Sequence, residues 1–300
     1  MPKPATMEGY SSPITEACER VLVTLLRGLG PYKDSVYLVG GLAPRYLITA
    51  RPPDVPPHAG TSDIDVVVDQ AILADTDAYH TLEDNLKRMG FRRATNDKGV
   101  EQNWRWETDV DPRTKLVLEF LTDAPNLLGG KVEPLPTQGA ISAVNIPHSS
   151  MVFDLYREVD VTAELLDSNG QATETVRYAD LVSFTCLKAF AFDQRAERKD
   201  AHDLVYCLQY AIGGPEAVAA EFRAALATKH KDVIERALHI LARRFTDDQH
   251  SEGYRKDGPV AVARFEGFTD DDDNGRERRL LRQRQAAEIV SILLSRAHQD

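Results

Sequence analysis

The segment Asp63-Ile-Asp-Val-Val-Val68 constrains the fold of this chain more than any other part of the sequence. Its three consecutive valines are β-branched, and so short an apolar run is typical of a strand rather than of a buried helix. Successive side chains of a strand point to opposite faces of a sheet. We therefore predict that Asp63 and Asp65 share one face of a strand while Ile64 points into the core.

Two carboxylates on one face repel each other, and a divalent cation between them relieves that repulsion. Mg²⁺ favours oxygen ligands and the phosphates of substrates. A second strand is predicted where Glu119 stands alone among apolar residues of the run 116–121. An acid in a buried strand needs a partner, although Glu119 could equally lie on an edge strand and face water. Beside Asp63 and Asp65 it would complete a three-carboxylate site for two ions of Mg²⁺ or Mn²⁺.

A candidate phosphate-binding segment precedes this acidic strand. The apolar run 36–39 is followed by Gly40-Gly41, and a helix is predicted next. Backbone N–H groups at such a strand-to-helix junction can receive a phosphate, and glycine allows it to approach closely. Thr61 and Ser62 add hydroxyl groups just before Asp63. Taken alone, Gly-Gly is most often a simple turn. The prediction of phosphate binding therefore depends on the order of strand, Gly-Gly, helix and acidic strand.

The remaining pattern predicts an α+β protein, with a mixed-sheet domain at residues 1–176 and a helical domain at residues 177–300. Strands are predicted at 36–39, 64–68, 102–107 and 115–121 and within 152–161. Helices are predicted at 13–29, 42–49, 77–89, 181–194, 199–211, 215–227, 232–245 and 279–296. The segment 51–59 contains four prolines, which predicts a loop, and 167–170 predicts a turn.

Composition narrows the class of protein. The formal net charge of −11 disfavours a protein that coats nucleic acid by charge alone. No run of about 18 apolar residues occurs, so we expect no transmembrane helix, and we expect no signal peptide. The three cysteines, Cys18, Cys186 and Cys207, lie in apolar stretches without metal-ligand spacing. They predict buried free thiols and a cytoplasmic protein.

A second constellation is centred on Lys188, which apolar residues of a predicted helix surround. A lysine in that position is costly unless it meets an anion. One interpretation is a lysine that extends to solvent and joins a surface ion-pair network. The other places Lys188 on nucleotide phosphates. Arg195, Asp200 and Asp203 follow at helical spacing, and the two aspartates share a helix face.

The order of strand, Gly-Gly, helix, Asp-x-Asp strand and later acidic strand resembles the minimal nucleotidyltransferase fold of the DNA polymerase β superfamily. The loop between Gly41 and Asp63 is longer than usual there, and its proline-rich part is expected to form a lip. The run from Lys188 to Asp203 resembles the K…A…R…KD..D signature of AbiEii/AbiGii-type nucleotidyltransferases, toxins of toxin–antitoxin and phage-defence systems. The resemblance implies metal binding by Asp63, Asp65 and Glu119.

The same resemblance implies triphosphate binding by the Gly40-Gly41 segment. It also implies that Lys188 binds phosphate and that Asp200 supports the active site, with Arg195 as a further nucleotide contact. The expected substrate is an NTP, and some members of the family add nucleotides to the 3′ end of tRNA.

The sequence does not identify the acceptor of the nucleotide. RNA, a polypeptide hydroxyl and a small molecule are the alternatives, and a cognate antitoxin is an expected partner. A group of basic residues near the C-terminus is either a contact for RNA or a solvated helix face; it consists of Arg276, Arg278, Arg279, Arg282 and Arg284. A non-catalytic interaction subunit with the same fold is the alternative of another class.

Overall fold

The computed structural model of the chain describes residues 4–10, 12–76, 81–111, 114–137, 140–166, 170–269 and 273–298. These residues form two compact units. The sheet unit comprises Ser12–Ala43 and Gly60–Asp180. The helical unit comprises Met1–Ser11, Pro44–Ala59 and Leu181–Asp300. The protein is therefore a mixed α+β chain with a C-terminal helical region, as the sequence predicts.

The sheet unit contains a mixed sheet. Its strands are β1 Val36–Val39, β2 Asp63–Val68, β3 Arg92–Thr95, β4 Glu101–Asp111, β5 Thr114–Thr122, β6 Val132–Pro134, β7 Ser142–Asn145, β8 Tyr156–Glu164 and β9 Gln171–Ala179. The main order is β3-β4-β5-β2-β1-β9-β8, and β7 joins the end of β5 and pairs with β6. Strands β2 and β5 are parallel, whereas β1 and β2 are antiparallel. The acidic strand thus occupies the middle of the sheet.

Helices of the sheet unit cover apolar side chains of these strands. Helix α1 spans Ser12–Leu29, α3 spans Gln70–Asp75 and α4 spans Leu82–Arg88. The carboxylate of Asp69 accepts the N–H groups of Ala71 and Ile72 and so caps the start of α3. The apolar residues between the acidic positions of β2 and β5 are fully buried: Ile64, Val66, Leu118 and Phe120.

The helical unit is built from α2 Pro44–Leu47, α5 Leu181–Arg195, α6 Arg198–Tyr210, α7 Gly214–Leu226, α8 Lys231–Phe245, α9 Asp257–Phe265 and α10 Asp273–Ala297. Helix α5 is apolar almost all round, as expected of a helix in a domain core. Five phenylalanines fill that core: Phe184, Phe192, Phe222, Phe245 and Phe265. The three cysteines are buried and unbonded to one another, as predicted.

The two units are not separated by a single boundary near residue 177, because residues 1–11 and 44–59 belong to the helical unit. The proline-rich loop, expected to form a lip, groups with the helical unit because its polar atoms bind α6. Tyr206 donates a hydrogen bond to the carbonyl of Pro56, and the ring of His58 meets the carboxylate of Asp203. The helix predicted at 42–49 is a 3₁₀ turn at Gly40–Leu42 followed by the short α2.

Other predictions of secondary structure were mostly confirmed, with clear omissions. Strands β3, β6, β7 and β9 and helices α3 and α9 were not predicted, and the prediction around 152–155 was wrong because a 3₁₀ turn occupies Ser149–Phe153. Residues 77–80 of one predicted helix and 167–169 of the predicted turn lie outside the described residues. Among the helices that are described, none is long and apolar enough to cross a membrane.

Candidate functional site

The predicted carboxylates lie on one face of two adjacent strands. Asp63 pairs with Val117 across the β2–β5 ladder, and Asp65 pairs with Glu119. Directly paired residues of parallel strands point to the same side, so Asp63, Asp65 and Glu119 share a face. The neighbouring residues Ile64 and Leu118, which point to the opposite side of the sheet, are fully buried. We call this set the carboxylate face.

Burial increases towards the start of β2. Asp63 is only 7% exposed, whereas Asp65 and Glu119 are half-buried. The hydroxyl of Thr61 donates to the carbonyl of Asp63 at 3.1 Å and accepts the N–H of the same residue at 3.1 Å. This turn fixes the entry of the chain into β2. The Thr61 hydroxyl, predicted as a substrate contact, therefore stabilises this turn. Ser62 beside it is half-buried.

Gly40 lies directly against Asp65. Its φ angle is +72°, and a Cβ atom placed on it would stand 2.0 Å from Oδ2 of Asp65. A side chain at this position would collide with the carboxylate, and the positive φ angle would strain any L-residue. The Gly-Gly segment therefore comes close to the acidic face, as the sequence order predicted. Gly41 is buried within the 3₁₀ turn Gly40–Leu42.

Helix α1 contributes neighbours that the sequence did not reveal. The hydroxyl of Thr15 accepts the N–H of Thr61 at 3.3 Å, and the thiol of Cys18 lies 3.5 Å from the carbonyl of Thr61. Burial raises the pKa of Cys18, and the charges of Asp63 and Asp65 raise it further. Cys18 is therefore an unreactive thiol beside a negative site. No spacing rule links a helix near residue 18 to a strand near residue 63.

Glu119 is not an edge residue, so the interpretation that it faces water from a sheet edge was wrong. Strand β5 lies between β4 and β2, and Arg105 of β4 is paired with Glu119 across the ladder. Nε of Arg105 is 3.1 Å from Oε1 of Glu119. Arg105 thus places a guanidinium at the border of the carboxylate face. No local sequence pattern indicates this role of Arg105, because the role depends on the register of β4.

Lys188 belongs to a buried ion cluster, which we define as Lys188, Lys199, Asp200 and Asp203. Nζ of Lys188 lies 2.9 Å from Oδ1 of Asp200 and 2.7 Å from Oδ2 of Asp203. Nζ of Lys199 contacts both oxygens of Asp203, at 3.0 and 2.8 Å. Lys188 is 8% exposed and Asp203 is fully buried. The expected anion partner of Lys188 is therefore a pair of aspartates of its own unit.

The charges of this cluster are strongly coupled. Burial alone would lower the pKa of Lys188, but Asp203 and Asp200 outweigh it and raise that pKa. Burial would raise the pKa of Asp203, but Lys188, Lys199 and His58 hold it well below its usual value. Burial and the nearby charge of Lys188 lower the pKa of Lys199. The network is buried rather than on the surface, so the surface version of the ion-pair interpretation was wrong.

Arg195 extends the cluster towards solvent. Its Nε and Nη2 atoms donate to the two oxygens of Asp200 at 2.7 and 2.9 Å. This two-point geometry is typical of an arginine–carboxylate pair. Its side chain is 54% exposed. Phosphate binding by Lys188 and Arg195, and support of catalysis by Asp200, stay predictions.

A scan against models of protein families and a search of curated proteins gave no match for this chain. The interpretation of the site therefore depends on its own geometry. That geometry is an acidic face on two central parallel strands, with a glycine backbone packed against one carboxylate.

Proposed function

We propose that the chain is a metal-dependent nucleotidyltransferase, which moves an NMP from an NTP to an acceptor and releases pyrophosphate. The observation that carries this proposal is the carboxylate face itself. Asp63, Asp65 and Glu119 share one side of β2 and β5, and Gly40 lies against Asp65. This agrees with the order of motifs that resembles the DNA polymerase β superfamily, and the minimal nucleotidyltransferase fold is part of the proposal.

The side chains present suit a hard divalent cation. All three offer carboxylate oxygens, which Mg²⁺ and Mn²⁺ prefer over nitrogen or sulfur. The carboxylates of Asp63 and Asp65 also raise the pKa of Cys18, which indicates a negative potential at this end of α1. We propose that Asp63 and Asp65 hold the cation and that Glu119 completes the site, with Arg105 setting the orientation of Glu119.

In the proposed reaction, the oxygen of an acceptor hydroxyl forms a bond to the α-phosphorus. The bond from that phosphorus to the bridging oxygen breaks, and pyrophosphate leaves with the electron pair. The proton of the hydroxyl passes to a carboxylate of the face. Bound Mg²⁺ supplies neutralisation of the charge on the phosphate oxygens. In this proposal the backbone N–H groups of the Gly40-Gly41 segment, next to Asp65, receive the triphosphate.

We propose RNA, with tRNA first, as the acceptor. Helix α10 exposes Arg276, Arg278 and Arg284, which suit the phosphates of RNA. Arg282 is excluded from this group because it binds the carboxylate of Glu266 at 2.6 and 2.8 Å. A polypeptide or small-molecule acceptor is the alternative outcome of the test below. A role as the toxin of a toxin–antitoxin system, with a cognate antitoxin, is proposed from the resemblance at Lys188–Asp203.

The test uses the purified full chain with Mg²⁺, each α-labelled NTP in turn and total bacterial tRNA, followed by a denaturing gel. The decisive variants are Asp63→Asn and Asp65→Asn, which keep the size of the side chain and remove its charge. Asp109→Asn is the matched control, because Asp109 is an exposed aspartate of β4. We expect labelled RNA with wild type and control, and a loss of at least about 100-fold in each decisive variant.

Each outcome has a meaning for the proposal. Label on protein would replace tRNA by a polypeptide acceptor, and label on a small molecule would replace it by that class. Equal labelling by Asp63→Asn and wild type would overturn the site. No transfer to RNA, protein or small molecules, with folded wild type, would favour a non-catalytic interaction subunit.

A further inference from the structure

We propose that His58, His202 and Asp203 form a second metal site, of a different class, that binds a transition-metal ion such as Zn²⁺. Each of these side chains offers a ligand atom, and all three atoms lie within 4.8 Å of one another. All three residues belong to the helical unit. Two imidazoles and one carboxylate form a donor set that zinc accepts, whereas Mg²⁺ prefers oxygen alone. The inference does not depend on the proposed transferase function.

His202 supplies the independent observation. The residue is 3% exposed, and its Nδ1 atom lies 3.0 Å from Oε1 of Glu266. Its other ring nitrogen, Nε2, is buried and has no hydrogen-bond partner among the residues that the structure describes. A buried polar atom without a partner is costly and rare in native proteins. A metal ion bound to Nε2 would satisfy this atom.

Glu266 holds His202 in the form that a metal requires. Burial opposes the charge of Glu266, but hydrogen bonds from Arg282 and His202 outweigh it and lower its pKa to about 2. In the tautomer whose Nδ1 donates to Oε1 of Glu266, the lone pair of His202 is on Nε2, where a metal can bind. Such carboxylate–histidine pairs orient metal ligands in many proteins and fix the tautomer. Arg282 in turn fixes Glu266 with two hydrogen bonds.

His58 is the second nitrogen ligand. Burial lowers its pKa to about 4, although Asp203 acts in the opposite direction. The Nε2 atom of His58 is 2.9 Å from Oδ1 of Asp203, and its ring stacks on that of His202 with centroids 5.7 Å apart. The three ligands are thus already assembled by packing.

Lysines compete with the metal for Asp203. Lys188 holds Oδ2, and Lys199 contacts both oxygens. Metal binding would separate Lys199 from Oδ1 of Asp203.

The bound ion would fasten the proline-rich segment to helix α6. His58 lies in that segment, while His202 and Asp203 are neighbours on α6. A metal that joins residues so far apart in sequence binds the folded chain and not the unfolded one, and so raises stability. Three protein ligands leave a coordination position for water or another ligand.

The test measures Zn²⁺ retained by the full chain. Tag-free protein is treated with a chelator, equilibrated with Zn²⁺ and passed through gel filtration, and metal per chain is measured by mass spectrometry. Co²⁺ replaces Zn²⁺ in a parallel sample, since its visible absorption reports coordination geometry. The variants are His202→Asn and His58→Gln. His239→Asn is the matched control, because His239 is exposed on α8.

We expect one ion per chain in wild type and in the control, a visible Co²⁺ spectrum, and at least a 10-fold loss of affinity in both site variants. Circular dichroism checks that each variant is folded. If His202→Asn does not fold, His58→Gln decides, because His58 lies outside the helices. Absence of bound metal in folded wild type, or equal retention by wild type and a folded site variant, overturns the proposal.

Discussion

The two acidic sets of this protein are built by opposite means. On the carboxylate face, the positions of Asp63, Asp65 and Glu119 follow from the alternation of strands and from one register between β2 and β5. In the buried ion cluster, two helices bring charged side chains together, and the two carboxylates of Asp200 and Asp203 meet the two ammonium groups of Lys188 and Lys199. Backbone geometry organises the first set, and charge pairing organises the second.

This difference predicts where substitutions act. Removing one member of a buried, mutually paired set leaves an uncompensated charge, which is strongly destabilising. Replacing an aspartate of the carboxylate face by asparagine leaves strand pairing and the Gly40 contact in place. We therefore expect the buried ion cluster to control stability and the carboxylate face to control activity.

The largest expected effect on stability belongs to Asp203→Ala. Asp203 accepts contacts from Lys188, Lys199 and His58, and it is fully buried. Its removal leaves the ammonium groups of Lys188 and Lys199 short of a counter-charge and should lower the free energy of unfolding by about 3–5 kcal/mol. Urea denaturation measures this loss.

The control for that experiment is Glu235→Ala on α8. Glu235 is exposed and forms an i,i+4 pair with Lys231 at 3.7 Å, so its loss should change stability by less than about 0.5 kcal/mol. Similar losses in both variants would mean that burial and pairing do not distinguish the cluster from an ordinary surface pair.

The next effect is a pH dependence that His58 imposes. The folded chain protonates His58 only below about pH 4, while the unfolded chain does so below the ordinary value of 6.5. Between these values the unfolded chain binds more protons, so stability falls as pH falls. The full contribution, about 3 kcal/mol, is present above pH 6.5 and is lost by pH 4.

Comparison with His58→Gln isolates this contribution. Denaturation of both proteins is measured with a chelator present, from pH 7 down to pH 4, so that metal binding does not contribute. The wild type should lose more stability than the variant across this window. Parallel curves would show that other groups cause the pH dependence.

Gly40→Ala gives a smaller loss of stability but a specific loss of activity. Gly90→Ala is its control, because Gly90 also has a positive φ angle but no atom of the described residues lies within 4 Å of an added Cβ. The backbone strain of alanine should cost each variant about 1–2 kcal/mol. Only Gly40→Ala pushes on Asp65, so only that variant should lose nucleotidyl transfer. Equal activity of the two variants would show that the Gly40-Gly41 segment is not part of the active site.

The contrast also explains how much the sequence could predict. Strand β2, its shared acidic face and the proximity of Gly40 follow from local patterns, because alternation and β-branched residues act over a few positions. Strand β9 was missed because it alternates without an apolar run, and it is held by full pairing with β8. Helix α9 was missed because Gly258-Pro259 suggests a break, although proline suits a first turn.

Contacts across long stretches of sequence could not be predicted. His58 meets Asp203 across 145 positions, and Arg105 meets Glu119 only because of the β4–β5 register. The same holds for Thr15 and Cys18 beside Thr61. The partner of Lys188 was expected to be an anion, and Asp200 and Asp203 were already prominent in the sequence. That they are its partners depends on the packing of α5 against α6.

The smallest expected effect is that of Arg195→Ala. Its side chain is 54% exposed, and Asp200 keeps Lys188 as a partner, so the loss should stay below about 1 kcal/mol. Because Arg195→Ala leaves the fold intact, its transfer activity tests the predicted nucleotide contact without a stability effect. Unchanged KM for the NTP would assign Arg195 to the ion cluster alone, whereas a raised KM would place a phosphate beside it.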